Sequence, residues 1–396
     1  MFRSVRQTQT HCRALGIDLG RYRIKAVVVE ETSNGLTISH AATVRTPDGV
    51  IDQGVITDQP AVAAIIRQIV KGFDLPLTSA ALSTPIEHTL VRWIEMPQMD
   101  EESLTAAAKF EAKKYVTYPI EQAEVTIVPM ECDETQGDNA KIRALLIAAP
   151  SEVVTSRAAT LELAGLEVDS IESEAMAVLR ALERQETPKG RFWHGQSLAF
   201  LLIGEESSGM IVSRDGVMTL NRAIPWGANR LIETLAERNA ISHDEARDLL
   251  ALPSTYIGKD ASLNWETQDA TRQNNALSKD LRRLMNEIAR IANYYSSLCP
   301  ASSYEGLFHR LILCGGLAGT RGLSEYLSHG LQLSARVCRT FESPMWGLSP
   351  NAAVAVQGNE PGMAVAFGLA LGKLENLITT GEGNPTREYL WQREAA

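Results

Sequence analysis

Apolar and polar positions come in blocks from the first residues onward. Residues 14–31, ALGIDLGRYRIKAVVVEE, run apolar, turn polar at Gly20 and run apolar again. Val, Ile and Leu on both arms and a glycine at the turn predict a β-hairpin, because β-branched side chains suit a pleated surface and glycine accepts turn dihedrals. GLTISHAATVRTP continues as a third strand, and AVAAIIRQIVKGF has helical spacing that ends near Gly72. SAALSTPIEHTLVRWIEMPQMD returns to strand character, broken by Pro85 and closed by Pro97, with His88 placed on a strand face. Asp100 caps the helix predicted in DEESLTAAAKFEAKKYV, which stops before Tyr118-Pro119. Two strands, EQAEVTIVPMEC and AKIRALLIAAP, flank the polar connection CDETQGDNA. SEVVTSRAATLELAGL then reads as a capped amphipathic helix ending at Gly165. Residues 86–167 thus form an α+β block inserted into a first lobe made of 12–85 and 168–190.

VDSIESEAMAVLRALERQ supplies a strand end and a helix, and ETPKGRFWHGQS breaks the pattern, which places the lobe boundary there with His194 solvated. SLAFLLIGEESSGMIVSRDGVMTLNRAIPWG then repeats the opening grammar. LIG at 202–204 aligns with DLG at 18–20, and each hairpin is followed by a third strand. Two such openings predict a duplicated architecture with a cleft between its halves. Residues 229–306 are predicted to be a largely helical insertion into the second lobe. It holds NRLIETLAERN, ISHDEARDLLALP with Ser242 and Glu245 as a capping box, and a long amphipathic helix from residue 276, with the polar stretch 256–275 as loop or short helix. LILCGGLAGTRGLSEYL is a buried-type strand that turns through Gly315, Gly316, Gly319 and Gly322 into a helix, a geometry that lets a ligand approach the backbone. The small-residue helix PGMAVAFGLALGKLENL completes a second-lobe core of 191–228 and 307–376, leaving 377–396 as a mobile tail.

Bulk properties narrow the chemistry. A chain of 396 residues exceeds what one hydrophobic core usually serves, so two or more domains are expected. A formal net charge of −10 argues against a broad nucleic-acid surface, which needs clustered Lys and Arg. The five cysteines are scattered and never in a C-x-x-C pair, which points to a reducing compartment without structural zinc, and Cys314 reads as a small core residue. No apolar run approaches the roughly twenty residues of a membrane helix, and the basic N-terminus reads as a frayed end rather than a secretory signal. Asp18 is the odd member of its apolar strand. An acid capping a turn and an acid facing a Mg²⁺-bound phosphate chain fit this position equally.

These segments, taken in order, resemble the PilM family of type IV pilus assembly proteins within the actin-like ATPase superfamily, with FtsA and the cytoplasmic part of GspL as relatives. The resemblance spans about residues 13–373 and rests on GIDLGRYRIKAVVVE, on RWIEMPQMDEESLTAAAKFEAKKYVTYPIEQAEV, on RDGVMTLNRAIPWGANRLIETLA and on LILCGGLAGTRGLSEYL. It implies a two-lobed α/β actin-like (ribonuclease H-like) fold, Mg-ATP in the cleft, and a place at the cytoplasmic face of the inner membrane, gripping the short tail of a PilN-type membrane partner among other platform proteins. Carried over by position, Asp18 would hold Mg²⁺ through water, and Gly20, Arg21, Lys25 and Gly204 would serve the phosphates. Gly227, Asn229 and Glu245 would line the ribose side, and Gly315 and Gly316 the adenine.

The departures from the family pattern sit at the phosphates. Arg21, Tyr22 and Arg23 replace small hydroxyl residues, Leu202 replaces an acid, Glu205 and Glu206 fill the second tip, and Leu250 stands where relatives tend to carry a lysine. Two carboxylates beside a triphosphate repel it by about 1 to 4 kcal/mol per pair at ~4 Å. A scaffold with a degenerate nucleotide cleft is therefore expected, with little or no ATP hydrolysis. The alternatives are a working ATPase or sugar kinase that uses Arg21 or Arg23 at the phosphates, and a GspL-like type II secretion component.

Overall fold

A computed structural model describes residues 12–33, 35–132, 141–186, 197–266, 271–299, 308–343 and 345–380. The polar connection 133–140, the boundary stretch 187–196 with His194, the N-terminal basic residues and the tail from 381 lie outside the described residues. The first lobe opens with the strands β1 (Arg13–Leu19), β2 (Arg23–Thr32) and β3 (Gly35–Arg45), followed by the short pair β4 (Ile51–Asp52) and β5 (Val55–Ile56). Helix α1 (Gln59–Phe73) is capped by Asp58, and β6 (Ser79–Thr84) follows. The insert comprises β7 (Leu90–Pro97), α2 (Glu101–Ala112), β8 (Ala123–Cys132) and β9 (Lys141–Pro150). The first lobe resumes with α3 (Ser151–Leu163), β10 (Glu167–Ser173) and α4 (Glu174–Glu186).

The second lobe starts with β11 (Ser197–Ile203), β12 (Ser208–Arg214) and β13 (Val217–Ile224). It continues through α5 (Asn229–Asn239), α6 (His243–Ala251), the strands β14 (Thr255–Ile257), β15 (Leu263–Glu266) and β16 (Thr271–Asn274), and α7 (Ser278–Leu298). Strand β17 (Phe308–Gly315), α8 (Leu323–Leu331) and β18 (Ala335–Val337) complete it, and β19 (Trp346–Leu348), α9 (Pro350–Val356) and α10 (Ala364–Thr380) follow.

The duplication read from the hairpins is present. One sheet has the order β10-β6-β1-β2-β3-β19 and the other β13-β12-β11-β17-β18, each an antiparallel three-strand meander joined to parallel strands. The central strands β1, β11, β12 and β17 are buried on both faces, which is why they read as continuous apolar runs instead of alternating ones. Neighbouring residues serve different cores. Ala14 and Val27 face a central core shared with α4, α10, Phe200 and Ile211, while Leu15 and Val28 face Ile66 of α1 and Leu161 of α3. Ala199 and Leu201 face an outer core with α5, α7 and α8. Contact is closest where glycine permits it: a Cβ on Gly16 would lie 2.2 Å from the Ala366 carbonyl oxygen, and one on Gly368 would lie 1.9 Å from that of Ala177.

Five expectations change. The sheet of the insert, β7-β9-β8, closes at Pro150, and α3 packs on the first-lobe core through Leu161, so the block read as 86–167 ends before that helix. Helix α3 lacks a side-chain cap because Pro150, which has no side-chain acceptor, stands at its N-cap, and its buried side carries Ser156, Arg157 and Thr160 beside Val153 and Leu161. His88 lies in a 3₁₀ turn, Ile86–His88, since Pro85 has no N–H with which to continue the ladder, and its ring packs on Gly54. Over the polar stretch 256–275, read as loop or short helix, the described residues include the strands β14, β15 and β16, which pair as a small antiparallel sheet. Finally, β19 pairs with β3 and α10 rests on β1, so the chain after 345 returns to the first lobe instead of completing the second.

The insert also touches the second lobe. Trp93 of β7 donates its indole N–H to the Met218 carbonyl under the Arg143 guanidinium, and the Ile86 side chain fills the space above Gly209, where a Cβ would lie 2.2 Å from its Cδ1. Helix-packing glycines and free ones should respond oppositely to alanine. Gly368→Ala is expected to lower the stability read from a urea midpoint by about 1–3 kcal/mol. Gly72→Ala, on an open face of α1, should raise it by roughly 0.5–1 kcal/mol.

Candidate functional site

The β1–β2 register sets Asp18 opposite Lys25, so both side chains project from one face of the hairpin. Lys25 Nζ donates to Asp18 Oδ2 at 2.7 Å, with side-chain exposures of 14% and 5%. Glu174, the first residue of α4, is half-buried nearby and accepts the Ile86 N–H at 3.0 Å. Burial, with the negative charges of Asp18 and Glu87 added, pushes its carboxyl up to about 8, so it holds a proton at neutral pH. Arg157 of α3 donates Nε to the Ser83 carbonyl at 2.8 Å and Nη1 to those of Val153, at 3.3 Å, and Gly54. Burial lowers its pKa to about 10, which still leaves the guanidinium positive at neutral pH.

Above this floor, the two hairpin tips face each other across a cleft of about 520 Å³. Arg21 spans it, with Nη1 3.0 and 3.1 Å from the two Glu206 carboxylate oxygens and 3.2 Å from the Ile51 carbonyl. Arg247 of α6 binds Glu205 through both terminal nitrogens, at 2.5 and 3.1 Å. The guanidinium carbon of Arg247 lies 3.4 Å from the centre of the Tyr22 ring and that of Arg45 4.3 Å, while Arg45 donates to Asp244 at 2.7 Å. On the far wall Gly315, at φ 100°, sits where a Cβ would meet the Ile203 carbonyl oxygen at 2.2 Å, and the Gly316 N–H donates to that same oxygen at 3.2 Å.

Asp18, Gly20, Arg21, Lys25, Gly204, Gly315 and Gly316 therefore line one cleft. Gly227, Asn229 and Glu245 do not. Gly227 packs on the second tip, where a Cβ would lie 2.2 Å from the Glu205 carbonyl oxygen, and the Asn229 N–H donates to that oxygen at 2.9 Å. Both residues support the turn instead of facing a ligand. Glu245 is spent on its own helix: its carboxylate accepts the Ser242 N–H at 2.8 Å in an exposed capping box. Leu250 is in the second-lobe core, and α6 offers the cleft Arg247, Asp248 and Ala251.

The family model for the type IV pilus assembly protein PilM matches residues 16–374. The chain belongs to the PilM family. A solved PilM–PilN type IV pilus biogenesis complex is similar to it at 21% identity and a TM-score of 0.75, covering 91% of this chain and 98% of that one. A diol dehydratase-reactivating factor in nucleotide-free form matches at 10% identity and a TM-score of 0.50, over 92% and 100% of the two chains. MreB5 of Spiroplasma citri bound to AMPPNP matches at 14% identity and a TM-score of 0.49, over 93% and 98%. Together with the paired sheets, the family match makes this a two-lobed actin-like fold.

Sequence reading of this PilM-family chain misses Arg157, Glu174, Arg45 and Arg247. A signal existed for Arg157, which shares the helical stripe of Val153, Thr160 and Leu161 and so places a charge on an inward face. Glu174 supplies a pH test. The unfolded chain releases this proton near 4.5 and the folded protein near 8, so the stability from holding it is complete below about 4.5 and lost as pH rises to about 8. Glu174→Gln keeps an acceptor for the Ile86 N–H. Its stability relative to wild type should rise between pH 5 and pH 8 by a few kcal/mol in order of magnitude, read from urea midpoints at each pH.

Proposed function

We propose that this PilM-family chain is a scaffold of a type IV pilus platform that holds the short cytoplasmic tail of a PilN-type membrane protein, and that its cleft does not run on Mg-ATP. The charge pairing in the cleft carries the reading. The metal-facing acid of the resemblance, Asp18, is bonded to Lys25, Arg21 of the first tip is bonded to Glu206, and Arg247 of α6 is bonded to Glu205. A Mg²⁺-bound triphosphate would have to separate all three pairs and sit beside the second tip's carboxylates, so these residues do not fit it as they stand. Among the described residues no group of three or more His, Cys, Asp or Glu is placed to hold a metal.

Partner binding follows from kinship: the solved PilM relative is a complex with PilN. Among the described residues no helix is long and apolar enough to cross a membrane, and we place the protein at the cytoplasmic face of the inner membrane through its partner.

Two measurements test the reading. Affinity purification from the native cell should bring down a single-pass membrane protein, and a synthetic peptide of that protein's cytoplasmic tail should bind the purified chain. Millimolar Mg-ATP should leave the melting temperature unchanged, whereas a ligand at a hundred times its Kd would add ~2.7 kcal/mol. Nucleotide turnover well above background would sink the non-enzymatic half, and a tail peptide that does not bind would sink the scaffold half.

A further inference from the structure

Helix α2 of the insert packs on its sheet through Leu104, Ala108 and Ala112, all of them buried. Successive residues of an α-helix turn by about 100°, so Phe110, two positions from each alanine, points directly away from that sheet. It is 71% exposed, the most exposed aromatic side chain among the described residues. A lone exposed apolar side chain needs no explanation, but this one stands among cations. Lys109, Lys113 and Lys114 are exposed around it, and the Lys114 Nζ lies 5.9 Å from the centre of the Phe110 ring. Arg92 of β7, also exposed, reaches the same end of the helix, its guanidinium carbon 4.2 Å from the centre of the Tyr115 ring.

The acid at this end is already engaged. Glu111 accepts from Lys114 at 2.5 Å and from the Tyr115 hydroxyl at 3.0 Å. Lys109 and Lys113 form no ion pair among the described residues. The helix dipole accounts for lysines in a last turn, but not for a phenylalanine standing between them. The chain as a whole carries a formal net charge of −10. An anionic surface therefore repels most of the molecule and attracts this end of it. A ring surrounded by lysines matches the boundary of an anionic bilayer, where the cations meet headgroup phosphates and the ring enters the edge of the acyl region.

We propose that the C-terminal half of α2 is a membrane-contact site, with Phe110 entering the interface of an anionic lipid surface and Lys109, Lys113 and Lys114 meeting its phosphates. This goes beyond a location borne only by the partner, because the chain itself touches lipid. One ring and three lysines give weak, reversible attachment, which a membrane-anchored partner strengthens by holding the chain close to the surface.

The test is cosedimentation of the purified full chain, with no partner present, with vesicles of phosphatidylcholine alone or of phosphatidylcholine mixed with phosphatidylglycerol. Wild type should sediment with the mixed vesicles and not with the neutral ones, and the bound fraction should fall as salt is raised. Lys109→Gln with Lys113→Gln should weaken binding by about fivefold per lysine, and Phe110→Ser by roughly tenfold or more. All three positions are exposed, so circular dichroism and melting temperature should match wild type. Wild type that stays in the supernatant with both vesicles would overturn the proposal, as would equal binding to neutral vesicles or a Phe110→Ser variant that binds as tightly as wild type. A dimer that depends on Phe110, seen by analytical ultracentrifugation in place of vesicle binding, would assign the face to a second copy and overturn it too. No tail peptide enters the assay, so this result and the scaffold reading can fail independently.

Discussion

Close backbone packing in the central layer sets everything else. Helices α4 and α10 lie between two sheets, and they fit only because Gly16 and Gly368 carry no side chain where a carbonyl of the neighbouring helix arrives. Protein interiors are packed as densely as organic crystals, so such contacts fix position to fractions of an ångström. Fixing α4 also fixes Glu174 at its first residue, beneath the hairpin that carries Asp18 and Lys25. The cleft is thus a by-product of how the sheets are spaced, and its floor is as rigid as the core that supports it.

Charge in that cleft is balanced locally. Asp18 and Lys25 are both largely removed from water, a state that is tolerable only while each has the other, because breaking a buried pair leaves an uncompensated ion. Glu174 answers the same pressure differently, keeping its proton in place of acquiring a partner cation. Arg157 takes a third route and satisfies its guanidinium with backbone carbonyls. A cleft can keep its shape under these terms with its charges balanced by the chain itself.

The fold was legible in the sequence wherever its causes were local. Apolar runs with glycine turns located both hairpins, Asp100 and Ser242 behaved as caps, and Leu281, Leu284, Ile288, Ile291 and Tyr295 shared one buried face as their spacing required. Short strands of three and four residues over the polar stretch 256–275 left no such pattern. The site was half legible. Its backbone turns could be found by alignment of the two hairpins, but its electrostatics join Arg21 to Glu206 across 185 positions and Arg45 to Asp244 across 199. Nothing in the neighbourhood of Arg21 announces its partner, which is why the acids of the second tip read as repulsive when each is in fact neutralised.

The contact between Ile86 and Gly209 reaches beyond this one chain. The first stands at the base of the insert and the second in a strand of the opposite lobe, and the isoleucine side chain occupies the volume that a side chain at 209 would need. The two positions share a single allotment of space. Across related chains their sizes should therefore vary inversely, a larger residue at 209 accompanied by a smaller one at 86, so that the joint between insert and second lobe is written as a correlation between two positions and not as a motif at either.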